Sequence, residues 1–112
     1  MKTLAGLALL GLAAAGCSNA RAAEFDSNDP VTCLTIFGII ANSARQNGES
    51  QFGEELVGRS MRIVQQQGGL PWLENVKPQS METAMAMEAK LAGDKALALF
   101  EECRNRQDAE RT

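Results

Sequence analysis

Three cysteines, Cys17, Cys33 and Cys103, constrain this 112-residue chain more than any other feature. An odd count in an exported chain leaves one thiol to be accounted for, and no Cys-x-x-Cys spacing points to thiol–disulfide catalysis. The parity resolves at the N-terminus. Residues 1–16 read MKTLAGLALLGLAAAG, with Lys2 as a positive start and an apolar run of 13 residues from Leu4 to Gly16. A bilayer-crossing helix needs about 20 apolar residues, so this shorter run, followed by small residues, reads as a secretory signal. Cys17 is then either removed or modified. Cys33 and Cys103 remain as a pair, expected to form a disulfide in an oxidising compartment.

Two processing readings stay open. In one, Ala20-Arg21-Ala22 is a small-x-small cleavage site, 1–22 is the signal peptide and a soluble protein begins at Ala23. In the other, Ala14-Ala15-Gly16-Cys17 resembles a bacterial lipobox, so that 1–16 is a lipoprotein signal and Cys17 is the lipidation candidate. Ala14 stands where that pattern usually has Leu. Both readings place the folded domain outside the cytoplasm, in the periplasm, with membrane contact arising only through a lipid on Cys17.

The remainder reads as helices. Residues 23–29 are polar and acidic and are expected to form a disordered lead, with Asn28 or Asp29 capping a helix that starts at Pro30. Over about 30–46, Cys33, Ile36, Phe37, Ile40 and Ala44 recur at helical spacing, widened by Leu34, Gly38 and Ala41, and Asn47-Gly48 is the stop. A second helix over 50–67 carries Phe52, Leu56, Ser60 and Ile63, broadened by Val57 and Val64, and ends at Gly68-Gly69. Gly53 and Gly58 each cost it about 1 kcal/mol relative to Ala, which close approach of another helix would offset. Leu70 to Pro78 is read as a connection whose Trp72 lids one end of the core. A third helix is expected over 79–92, with Met81, Ala84, Met85, Glu88 and Ala92 on one row. A fourth is expected over 95–107, with Ala96, Leu99, Phe100 and Cys103 inward. Whether these last two are separate or one kinked helix stays open. Residues 108–112 form a charged tail expected to fray.

Short links between the first and second and between the third and fourth segments suggest antiparallel hairpins. The expected fold is therefore all-α, a small antiparallel four-helix bundle over 30–107. In such a bundle the start of the first helix and the end of the last lie together, where Cys33 and Cys103 fall. A bridge across the intervening 70 residues is worth roughly 4 kcal/mol on the chain-entropy model.

Composition enters as a set of exclusions. With no His, neither His-based metal sites nor Ser-His-Asp or Cys-His catalysis is available. A formal charge of −3 opposes nucleic-acid binding. Adjacent acids at Glu54-Glu55 and Glu101-Glu102 diverge by roughly 100 degrees on a helix, so neither pair converges on a substrate. The acidic stretch from Asp26 to Asp29 lacks the Gly and the distal Glu of a calcium loop. Gly68-Gly69 is not followed by the Lys-Ser/Thr of a phosphate loop. No catalytic residue, metal site or cofactor is expected.

Two function classes survive. The first is a non-enzymatic module that binds another protein of the bacterial envelope, as an inhibitor, immunity factor or chaperone-like protein. Lacking His, any acid switch in it would rest on carboxylates and act below about pH 5. The second is a small-ligand or Cu(I) binder using the bundle interior, with Trp72, Met81 and Met85 as lining, since thioethers are soft ligands.

Overall fold

A computed structural model describes residues 25–110 of the chain, so the signal segment, both cleavage readings and Cys17 lie outside the described residues. Four helices follow one another: α1 (Pro30–Gln46), α2 (Ser50–Gln67), α3 (Leu70–Lys90) and α4 (Gly93–Glu110). No strand occurs among the described residues. The all-α fold is as expected, and Cys33 and Cys103 are joined, their Cα atoms 5.5 Å apart.

The bounds of α1 and α2 follow their local signals. Asp29 Oδ1 accepts the Val31 backbone N–H at 2.9 Å, and Pro30 occupies the first turn, where its missing N–H is no loss. At the far end Asn47 caps α1 and Gly48 adopts φ 81°, a left-handed geometry that Gly enters freely. Gly68 and Gly69 likewise turn the chain after α2 at φ 131° and 85°.

α1 is the centre of the molecule and touches the other three helices. It buries Val31, Cys33, Ile36, Phe37, Ala41 and Ala44, while Ile40 and Leu34 are half-buried at the margin and Gly38 is exposed. On α2, Leu56, Ile63 and Val64 point inward, and on α4, Leu99, Phe100 and Cys103 do. The Phe100 ring meets Phe37 and Phe52 edge-on, at centroid distances of 5.8 and 6.3 Å. Such edge-to-face pairs add about 1 kcal/mol beyond area burial. Gly53 serves the purpose expected of it. A Cβ there would meet Arg45 Cγ at 2.9 Å and the Ala41 carbonyl oxygen at 3.2 Å, so the absent side chain lets α1 and α2 approach. Gly58 does not serve that purpose: nothing lies within 4 Å of a Cβ placed there.

Contacts pair Gly53 with Ala41 and Arg45, Phe37 with Phe100, and Cys33 with Cys103. Each is compatible with an up-and-down course. Thr35 donates its hydroxyl to the Val31 carbonyl at 2.7 Å and lies 2.7 Å from the Ser80 hydroxyl, linking α1 to α3.

Three expectations need correction. The stretch Leu70 to Pro78 is not a connection, because α3 starts at Leu70 with Pro71 in its first turn and continues through Pro78. A helix-internal Pro removes one backbone hydrogen bond and crowds the carbonyl four residues earlier. Here both Glu74 and Pro78 are exposed, so the site of the ring lies on the solvent side of the helix, where such an interruption costs least. Residues 108–112 do not fray from 108, since α4 stays helical through Glu110; Arg111 and Thr112 lie outside the described residues. The lead is ordered from Phe25 onward, with Phe25 and Ser27 buried, whereas Ala23 and Glu24 lie outside the described residues. The open choice between separate and continuous last helices is settled by Leu91, whose extended backbone (φ −97°, ψ 115°) ends α3 before α4 begins at Gly93.

Candidate functional site

Each acidic pair singled out in the sequence turns to solvent or to a nearby arginine. Glu54 and Glu55 are exposed, and Glu55 lies 3.7 Å from Arg59 one turn on. Glu101 pairs with Arg104, while Glu102 is exposed. The acids before α1 hold backbone: Asp26 Oδ1 accepts the Asn28 N–H at 2.9 Å, and Asp29 caps α1. These carboxylates stiffen turns and helix ends and do not converge on a common point. No group of three metal-ligating acidic or cysteine side chains occurs among the described residues.

At the disulfide end three segments meet. The Ser27 carbonyl oxygen lies 3.3 Å from the Cys33 sulfur. Arg106 of α4 donates to the Ser27 hydroxyl at 3.3 Å. Phe25 belongs to the same apolar core as Cys33, Phe37 and Cys103. A recess of about 90 Å³ opens beside the bridge, lined by Ser27, Cys33, Ile63, Arg106, Gln107 and Glu110 among others. That volume holds a few waters but falls well short of a cleft for an organic ligand, roughly 300 Å³ or more. Next to it Arg59 of α2 spans to α4, donating to Gln107 Oε1 at 2.8 Å and to Asp108 Oδ1 at 2.9 Å. Gln107 returns a bond from Nε2 to the Arg59 carbonyl at 3.0 Å. The side chain of Arg59 is only 12% exposed, so this latch operates at reduced solvent screening. The sequence does carry a trace of it. Phe100, Cys103 and Gln107 carry the inward spacing of α4 to the last residue of the expected fourth helix.

The ligand-lining candidates separate. Trp72 is half-buried against the core, with its Cβ 3.6 Å from the site of a Cβ on Gly68, and so covers the turn between α2 and α3. Met81 and Met85 are 64% and 69% exposed and do not line the interior, which corrects that expectation. The methionine that enters the core is Met87, at 2%. The inward row of α3 runs through Leu73, Val76, Ser80, Ala84 and Met87, so the expected row was rotated on the helix. The cause is local. Small residues and methionines surround this stretch on all sides, and the anchoring Trp72, Leu73 and Val76 fall in the segment read as a loop. Cu(I) coordination from the interior loses its ligands accordingly.

What α3 offers outward is an apolar row. At about 100 degrees per residue, Leu70, Met81 and Met85 fall within roughly 60 degrees of one another, on the side away from Val76 and Met87. Leu70 is 64% exposed. Glu74, Lys77 and Glu88 share that face. No helix among the described residues is long and apolar enough to cross a membrane. No protein family, curated protein or solved structure matches the chain.

Proposed function

We propose that this chain is an exported, non-enzymatic interaction module of the bacterial envelope, binding another envelope protein as an inhibitor, immunity factor or chaperone-like protein. Its docking face is the outer side of α3. One observation carries the reading: three large apolar side chains, Leu70, Met81 and Met85, stand on one helical face at 64% exposure or more. Single exposed apolar residues are ordinary, whereas an aligned set interspersed with the charges of Glu74, Lys77 and Glu88 has the make-up of a recognition surface. The disulfide favours an oxidising compartment. The apolar N-terminal run and its small-residue flank favour export, either as a soluble periplasmic protein or with a lipid on Cys17.

Site-specific photo-cross-linking in cells tests the docking face. A cross-linker at position 85 is expected to give a discrete adduct that a Met81→Glu change removes. One at the exposed Gln65 of α2 is expected to give none. Identical adducts from both positions, or none from position 85, refute the reading. Intact mass of the exported form decides its anchorage: a start at Ala23 identifies the soluble form, and an acylated Cys17 the tethered one.

A further inference from the structure

Met81, Met85 and Met87 lie within seven residues of one helix yet occupy two chemical environments. The first two are 64% and 69% exposed and contribute nothing to the buried core, while Met87 is 2% exposed within it. A thioether sulfur is a soft nucleophile that two-electron oxidants convert to a sulfoxide, turning a flexible apolar side chain into a polar one. Access of oxidant to sulfur decides the rate. For Met87 that access requires opening of the fold, and for Met81 and Met85 it does not.

We infer that Met81 and Met85 form a paired surface modification site for hypohalous acids and related two-electron oxidants, whose oxidation removes the apolar character of the α3 outer face and leaves the fold intact. In each event the sulfur lone pair attacks the chlorine of hypochlorous acid, an S–Cl bond forms, and the O–Cl bonding pair leaves with hydroxide. Water then attacks sulfur, an S–O bond forms, chloride departs with the S–Cl bonding pair, and the two water protons pass to solvent, one of them neutralising the hydroxide. Sulfur is oxidised by two electrons and chlorine is reduced by two. The two sites lie one turn apart, so both oxygens are added to the same stretch of surface, between Lys77 and Glu88. Leu70 then remains as the one large apolar side chain of the row. The inference gives a regulation to the docking face and rests on that reading for its biological effect, but not for its chemistry.

The experiment uses the purified exported protein, titrated with hypochlorous acid and read by peptide fragmentation, hydrophobic-interaction retention and thermal melting. Because Met87 is reached only through opening, Met81 and Met85 are expected to oxidise more than about tenfold faster than Met87. Retention is expected to fall while the melting midpoint holds, and methionine sulfoxide reductases are expected to restore retention. In a Met81→Leu/Met85→Leu variant, retention is expected to be insensitive to the oxidant, which separates this site from the partly exposed Met61. Comparable oxidation of Met87, a melting midpoint that drops in step with sulfoxide at 81 and 85, or an equal loss of retention in the double variant overturns the inference. Cross-linking separates it from the docking reading. Adducts at position 85 that survive oxidation of Met81 defeat the inference alone, and their absence from untreated protein, with the oxidation pattern intact, defeats the docking reading alone.

Discussion

α1 and α3 begin alike, each with Pro in its first turn, and end differently in what they contribute. α1 buries eight of its 17 residues, including Ile36 at 1% and Phe37 at 0% exposure. α3 is longer, at 21 residues, and buries two, Val76 and Met87. The cause lies in the order of residues along each. From Val31 to Ala44 ten of fourteen residues are apolar or Gly, and contact with three other helices covers most of them. α3 mixes small residues, methionines and charges around its whole girth, so one thin row suffices to seat it on α1 and α2. Stability is thus concentrated on one helix, and a second is left free to present side chains to the outside.

That contrast can be broken by measurement. The largest effect belongs to the bridge at the start of α1: replacing both Cys33 and Cys103 by Ser is expected to cost about 4 kcal/mol of unfolding free energy in denaturant titration. A loss below about 1 kcal/mol would show that the closed end is held by packing alone. Next comes Ile36→Ala, which empties a fully enclosed site on α1 and is expected to cost about 3 kcal/mol. A smaller step separates the two helix starts. Asp29→Ala removes the side-chain cap of α1 and is expected to cost about 1 kcal/mol, whereas α3 has no side-chain cap to lose. Smallest of all is Met85→Ala on the outer face of α3, expected to move stability by less than about 0.5 kcal/mol while weakening any adduct formed there. If it proves as costly as Ile36→Ala, α3 is a core helix and the contrast collapses.

How much of this was legible beforehand divides along the same line. The bounds of α1 and α2 read correctly because each is marked by local chemistry: Asp29-Pro30 at one start, Asn47-Gly48 and Gly68-Gly69 at the two stops. The disulfide was legible from parity and from two apolar rows. α3 was not, because Pro78 has the signature of a break, and only tertiary placement tells whether its ring faces water or a neighbour. Its rotation was illegible for a related reason. Ala84, Met85, Ala86 and Met87 offer an apolar residue in every direction, so periodicity there does not choose a face. The Arg59–Gln107–Asp108 latch joins α2 and α4 across nearly fifty residues. No local spacing announces such a link, although Gln107 sits on the inward row.

The carbonyl of Ser27 against the bridge sulfur, the burial of Phe25 and the bond from Arg106 make one clasp out of the residues before α1, the first turn of α1 and the last turns of α4. At the other end of α1 the turn through Asn47, Gly48 and Glu49 is closed by backbone bonds to Ser43, Ala44 and Arg45, with no covalent bridge. The two ends therefore answer to different agents. A reductant acts only on the first, where the Arg59 bonds to Gln107 and Asp108 still tie the end of α4 to α2, while the turn after α1 keeps its backbone bonds. The redox state of the surroundings therefore bears on one end of the bundle and not on the other.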